Sequence, residues 1–186
     1  MIGTMAELIE MAVDSIRVHM PTHQHVVILK EKEAERYLPI WIGIHEANAI
    51  ALKITGITPE RPITHDLLVN VLGAVDVRVH RVVVTSLSNE VFYARIMASA
   101  DGRDLDIDAR PSDAIAVAVR VGAPIFVADE VLDKAGVLPE SDRDRVTEGG
   151  EVELSEEEEE KLTIFREMIN SMDLPDLGDQ PRAPES

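Results

Sequence analysis

Length, composition and charge set the first limits on this protein. The chain has 186 residues, of which 45% are hydrophobic and only 3% aromatic, so aliphatic side chains and alanine must fill the core of a single main domain. It contains no cysteine, which excludes disulfides and thiolate metal ligands. The net charge is −17, and part of it is concentrated in residues 150–186, which hold 12 acids and 3 bases. The remainder is also acidic, so the chain lacks the overall basic charge typical of nucleic-acid binders.

The sequence also bears on where the protein acts. Its first ten residues include acids and lack a basic flank followed by an apolar run, so they do not predict a secretory signal. No apolar run approaches the roughly 20 residues needed to span a bilayer. We therefore expect a cytoplasmic protein that does not enter membranes.

The first half of the chain predicts three strands followed by two helices. Strand patterns cover residues 8–18, 25–30 and 37–44, with a charged turn at 31–36 that favours a hairpin. An alanine-rich helix is predicted from Glu46 to Thr55, ending at Gly56. Thr64 can cap a second helix that extends to Leu72.

The second half predicts another set of strands and then a buried helix. Residues 76–86 and 90–99 form a hairpin turning near Ser88-Asn89, and a third strand follows at Leu105–Ala109. Arg110-Pro111 then marks a helix start, because proline at the first helical position lacks only an N–H that would be unpaired. The helix is apolar on nearly every side, which indicates burial, and Gly122 ends it. A short strand at 124–127 and a short helix at 129–135 complete the body.

These elements predict an α+β domain with a mostly antiparallel sheet covered by helices. The strand-to-helix segment beginning at Trp41 matches the one at 105–121 in four apolar positions at one constant offset. An internal duplication of a strand-to-helix unit is one interpretation, and similar packing demands in two cores are the other.

The acidic C-terminal region is predicted to be separate from the body at 1–140. Residues 141–154 have the composition of a linker, 155–172 predict an amphipathic acidic helix, and 173–186 predict a disordered tail. The helix would present an apolar seam of Leu162, Phe165, Ile169 and Met172. A lone helix of this length is marginal in water, so we expect it to dock on the body or on a partner and to restrain nucleic-acid binding.

Six motifs resemble one protein family, the bifunctional nuclease domain family. They are LPIWIG (38–43), EANAIAL (46–52), RPITHDLL (61–68), FYARI (92–96), DARPSDAIAVAVR (108–120) and GAPIFVADEVL (122–132). The resemblance extends over roughly residues 8–138. It implies an α+β domain that is often a homodimer, with DNase and RNase activity on nucleic acid in some members.

Candidate site residues are the polar side chains inside these otherwise apolar motifs. Phosphodiester hydrolysis requires charge stabilisation at the phosphoryl oxygens and an activated water. The predicted catalytic residues are Glu46, His65, Asp66, Arg110 and Asp113. Carboxylates from Glu46, Asp66 and Asp108 are the predicted metal ligands, and such oxygen ligands suit Mg²⁺ or Mn²⁺.

Each candidate also has a purely structural interpretation. Glu46, Asp66 and Asp113 lie in first helical turns, where an acid is favoured by the helix dipole. Arg110 has acidic neighbours on both sides and can pair with one of them, or it can serve as an anion site. The alternative function is therefore a non-catalytic, dimeric interaction or regulatory module that binds a protein or an anionic ligand.

Overall fold

The structure, a computed structural model, describes residues 7–19 and 22–138. These residues form seven strands and four helices. The strands are β1 (Leu8–His19), β2 (Gln24–Glu31), β3 (Tyr37–Ile42), β4 (Arg78–Ser88), β5 (Val91–Ala100), β6 (Arg103–Ala109) and β7 (Ile125–Ala128). The helices are α1 (Ile44–Ile54), α2 (Thr64–Ala74), α3 (Pro111–Val121) and α4 (Asp129–Ala135).

All seven strands of the described region form one mixed sheet in the order β3-β2-β1-β7-β4-β5-β6. Each half is a three-stranded antiparallel meander followed by a helix, and β7 joins the two halves. β7 is antiparallel to β1 and parallel to β4, which is the sole parallel pair between these strands. The predicted α+β class and mostly antiparallel sheet are confirmed. The halves share a topology, whereas a duplication of sequence stays a prediction.

Two tight turns define the second meander. Asn89 and Glu90 connect β4 to β5 with φ values of 49° and 64°, and Asp101 and Gly102 connect β5 to β6 with φ values of 51° and 73°. Two consecutive positive φ values give the turn the twist that matches antiparallel strands. The predicted positions of both turns are confirmed.

The helix α3 is the centre of the core. Arg110 is its extended N-cap, Pro111 is its first residue and Gly122 ends it in the left-handed region at φ 71°, as the sequence predicts. Every residue from Ala114 to Ala118 is buried, and the helix packs against β4 and β5 as well as against α1. Its small side chains allow this close packing on both sides.

The helix α2 departs from the prediction in two respects. Ile63, not Thr64, is the N-cap, and its backbone N–H donates to the Asp66 carboxylate at 3.0 Å. The helix also packs mainly on α3 rather than covering the sheet, with His65 as its one buried residue. Leu67, Leu68, Val71 and the following Val75 are exposed. An 11-residue segment with apolar side chains on much of its surface was predicted correctly as a helix, but its periodicity did not show which partner it contacts.

The predicted linker, acidic helix and tail at 141–186 lie outside the described residues. Within the described ranges, no helix is both long enough and apolar enough to cross a membrane. A cytoplasmic location stays a prediction.

Candidate functional site

The starts of α1 and α3 are joined by the side chain of Arg110. Its Nε donates to Asp113 Oδ2 at 2.7 Å, and its Nη2 donates to Glu46 Oε1 at 2.8 Å. Glu46 is in the first turn of α1 and Asp113 in the first turn of α3. The guanidinium side chain is nevertheless 66% exposed, whereas that of Glu46 is only 16% exposed. Glu46 and Asp113, whose side chains are more buried than that of Arg110, hold its positive charge at the protein surface.

Glu46 reaches Arg110 because its carboxylate folds back over Gly43, the N-cap of α1. A Cβ built on Gly43 would collide with Glu46 Oε2. Gly43 has φ −69°, a value open to any residue, so what glycine provides here is the space that the Glu46 carboxylate occupies. The spacing of glycine and glutamate in this helix start therefore determines where the carboxylate lies.

Asp113 connects Arg110 to a buried histidine. Its other oxygen, Oδ1, lies 3.0 Å from His65 Nε2, and the His65 side chain is 10% exposed. His65 comes from the first turn of α2, so the chain Glu46–Arg110–Asp113–His65 joins the starts of three helices. Four of the five predicted catalytic residues are thus in one connected hydrogen-bond network.

The network favours ionised carboxylates. A hydrogen bond from its own backbone N–H, and further bonding from Arg110, lower the pKa of Glu46 against the opposing effect of burial. Burial by itself would raise the pKa of Asp113, but hydrogen bonds from Arg110 and His65 outweigh it and the pKa is lowered. Both acids in turn raise the pKa of Arg110, Asp113 more strongly than Glu46. A cation flanked by two anions is therefore the state at neutral pH.

Asp66, the fifth predicted catalytic residue, has a different partner. Its Oδ1 accepts from Arg120 Nε at 2.6 Å. Arg120 is 5% exposed and also donates to the backbone oxygens of Ala116 and Ala49, at 2.9 and 3.0 Å. One arginine thereby ties α1, α2 and α3 together. These contacts of Arg120 form a clamp, which includes Asp66, the residue directly after His65 in the sequence.

The predicted metal ligands do not converge. Glu46 pairs with Arg110 and Asp66 with Arg120, while Asp108 has a 75% exposed side chain with Arg95 Nε 3.8 Å away. No group of three or more His, Asp or Glu residues in the described ranges is placed to hold a metal ion. These three carboxylates do not fit a single Mg²⁺ or Mn²⁺ site, and the metal assignment stays a prediction.

A groove of about 380 Å³ lies beside Arg110. Its walls come from the end of β3, the start of β5 and the start of α3, with Trp41, Phe92 and Ser112 among the lining residues. Arg110 is one of its lining residues, so the arginine with the exposed guanidinium borders a concave surface.

Sequence reasoning missed three residues that shape this region. Arg120 was visible as the one charged residue in the apolar run from Ala114 to Val121, which is a signal of a buried pair. Gly43 stands three residues before Glu46 at a strand-to-helix junction. Trp41, the single tryptophan of the chain, is 43% exposed, and nothing in its strand pattern separates it from a core position.

Comparison with known sequences identifies one protein family. The sequence model of the bifunctional nuclease domain matches residues 27–140, which include all the candidate residues described above. The chain belongs to the bifunctional nuclease domain family. The resemblance drawn from its motifs is thereby confirmed.

Two relatives are similar over most of their length. They are the uncharacterized proteins MT1877 and Rv1829 from two strains of Mycobacterium tuberculosis. Each is 41% identical over 166 residues, covering 88% of this chain and 96% of the relative. The bifunctional nuclease domain, matched over residues 27–140, makes up most of the described body.

Proposed function

We propose that this bifunctional nuclease domain hydrolyses phosphodiester bonds of DNA and RNA at the site centred on Arg110. The observation that carries the proposal is the exposed guanidinium held at 2.7 and 2.8 Å by Asp113 and Glu46 beside a groove. A guanidinium fixed in this way suits the phosphoryl oxygens, where negative charge grows during hydrolysis.

Asp113 and His65 form the acid–base part of the proposed site. The lowered pKa of Asp113 leaves it ionised at neutral pH, so its oxygen accepts and His65 Nε2 carries the proton. In the proposed mechanism the neutral form of His65 takes the proton of the attacking water at Nδ1. The leaving oxygen receives its proton from solvent. Glu46 orients Arg110 from the opposite side and does not contact the substrate.

The test is cleavage of labelled single- and double-stranded DNA and RNA by the full chain. Arg110→Ala should reduce the rate by at least about 100-fold, as removal of a transition-state donor does elsewhere. Arg110→Lys should recover only part of it, because the single ammonium nitrogen of lysine cannot reproduce the planar fork with which arginine bonds two carboxylates and still presents donors to a phosphate. Arg103→Ala, which removes a 78% exposed arginine in β6, is the matched control.

Contaminating nuclease is the main competing explanation for any activity. Cleavage that is equal in Arg110→Ala, His65→Asn and unmodified preparations purified in parallel would contradict the proposal. Magnesium, manganese and chelator are included as separate arms, because they test the predicted metal requirement independently of Arg110.

The second candidate function is a non-catalytic homodimeric interaction or regulatory module. The observation that favours it is the exposed apolar surface of α2, formed by Leu67, Leu68, Val71 and Val75. The absence of cleavage by a folded protein that forms a stable dimer would support this function over the enzymatic one.

A further inference from the structure

The groove beside Arg110 combines an apolar wall with a cationic rim. Trp41 at the end of β3 and Val91 at the start of β5 are 43% and 51% exposed, and Phe92, next to Val91, is a further lining residue. Exposing a tryptophan in a chain with only six aromatic residues is costly, since burial of such a ring is strongly favourable. The arrangement is that of a surface suited to a flat apolar ligand.

The Trp41 ring is held in place from one side. His19, at the end of β1, makes an edge-on contact with it at a centroid distance of 6.1 Å and an interplanar angle of 79°. A ring that is oriented before a ligand arrives loses little entropy on stacking.

We propose that this groove binds an unpaired nucleobase, which stacks on Trp41 while its phosphate contacts Arg110. This inference rests on the proposed function and names the substrate form the site accepts. A volume of about 380 Å³ is in the range of small-ligand sites, and every nucleobase offers a flat face to an aromatic side chain.

The charge around the groove further restricts the class of ligand that can bind. The carboxylate residue Glu90 lines the same groove as Arg110, and the protein as a whole is acidic. Phosphate contacts beyond the one at Arg110 are therefore disfavoured, and stacking must supply much of the affinity. Bases in a duplex are already stacked and paired, so the groove selects single-stranded DNA or RNA.

The single tryptophan gives a direct readout. The full chain is titrated with a short single-stranded oligonucleotide, with the duplex of the same sequence, and with an abasic strand of equal length, while Trp41 fluorescence is recorded. Low temperature and a gel check keep the strands intact. The single strand should quench the emission, and the abasic strand should bind about ten-fold more weakly without quenching.

Variants of Trp41 test the same stacking contact, and the fluorescence anisotropy of a labelled single strand measures the binding. Trp41→Ala should weaken single-strand binding about ten-fold, whereas Trp41→Phe should retain most of it. Tyr93→Ala is the control, because Tyr93 is 46% exposed in β5 but does not line the groove. Should Trp41→Ala fail to fold, the abasic comparison on the unmodified protein still decides.

Equal binding and equal quenching by the abasic strand would overturn the proposal, because the groove would then recognise only an anion. An emission change that follows protein concentration and not oligonucleotide would instead place a second copy of the chain on Trp41, and it would also overturn it. Cleavage that persists in Trp41→Ala with unchanged strand preference refutes the groove while leaving the proposed function intact. Stacking on Trp41 without any cleavage would support the groove proposal and contradict the proposed function.

Discussion

The Asp66 carboxylate accepts a hydrogen bond from Arg120 Nε at 2.6 Å, across 54 residues of sequence. The same guanidinium donates to the Ala49 oxygen of α1 and to Ala116 within α3. Since Asp66 directly follows His65, this contact also fixes the helical turn that presents His65 to Asp113. The clamp is therefore expected to support both the fold and the site.

Removing the arginine of this clamp should be strongly destabilising. We expect Arg120→Met to lower the free energy of unfolding by about 2–4 kcal/mol, because a partly exposed carboxylate and two backbone oxygens lose their donor. Urea denaturation measures the change. Arg95→Met, which removes a half-exposed arginine on β5, should cost no more than about 0.5 kcal/mol.

A double-mutant cycle with Asp66→Asn separates the ion pair from the packing of the arginine stem. The coupling between positions 66 and 120 should be about 1–3 kcal/mol. Strictly additive losses would show that the two side chains do not interact as described.

Gly43→Ala should displace the Glu46 carboxylate. The new Cβ collides with Glu46 Oε2, so this flexible carboxylate must turn away and release Arg110. We expect a loss of no more than about 1 kcal/mol in the free energy of unfolding, because the released guanidinium is largely exposed, and reduced activity if the site is catalytic. Gly73→Ala is the matched control in α2, where nothing lies within 4 Å of an added Cβ. Helix propensity should make that change neutral or stabilising by up to about 1 kcal/mol, and equal losses at both glycines would count against the steric argument.

Acid should weaken the carboxylate network in a defined direction. Folding lowers the pKa of Asp113 and of Glu46, so their contribution is complete above the ordinary values of 3.8 and 4.5 and is lost as the pH falls through the lowered values. Asp113→Asn should therefore be less stable than the unmodified protein at pH 7, and the difference should shrink toward pH 3.

Urea midpoints measured across this acidic range give the comparison. Asp101→Asn serves as the control, because the Asp101 side chain is 83% exposed and only a distant ion pair joins it to Arg103. A stability difference for Asp113→Asn that stayed constant down to pH 3 would contradict the described role of its ionised carboxylate.

The apolar surface of α2 provides a test of the predicted homodimer. Leu67 and Val71 are 58% and 50% exposed and lie one helical turn apart. We expect the double variant Leu67→Ser/Val71→Ser to shift the protein toward monomer in light scattering at micromolar concentration. Ile107→Ser, at a 37% exposed position on β6, should leave the mass unchanged. A dimer that survives the double variant would exclude this surface as its interface.

The local elements could be predicted from the sequence in considerable detail. The strand before Arg110, the start of α3 at Pro111 and its end at Gly122 all agree with the structure, as does the helix Asp129–Ala135. The predictions were wrong in the end residues of helices and in the element that α2 contacts. Thr64 is one residue past the cap of α2, and α1 begins at Ile44 rather than Glu46.

The candidate site was predicted as a set of residue types, and the structure determined which of them meet. The polar residues near predicted helix starts gave the candidates Glu46, His65, Asp66, Arg110 and Asp113. The sequence did not show that Asp66 pairs with Arg120. Asp108 lies two residues before Arg110 and Asp113 three residues after it, so the sequence offered both as partners. Of these two, only Asp113 bonds Arg110, because Asp108 lies on strand β6 beside Arg95 and Asp113 on the first turn of α3.

The sequence by itself determined the strands, helices and turns of this protein, because periodicity, capping and glycine conformation act over a few neighbouring residues. The tertiary structure alone decided the contacts of Arg110 with Glu46, 64 residues earlier, and the groove that joins Trp41 to Phe92. Those contacts arise when the sheet places β3 and β6 at its two edges and the helices that follow them, α1 and α3, pack together. Such long-range packing depends on the fit of the whole core, which no local pattern encodes.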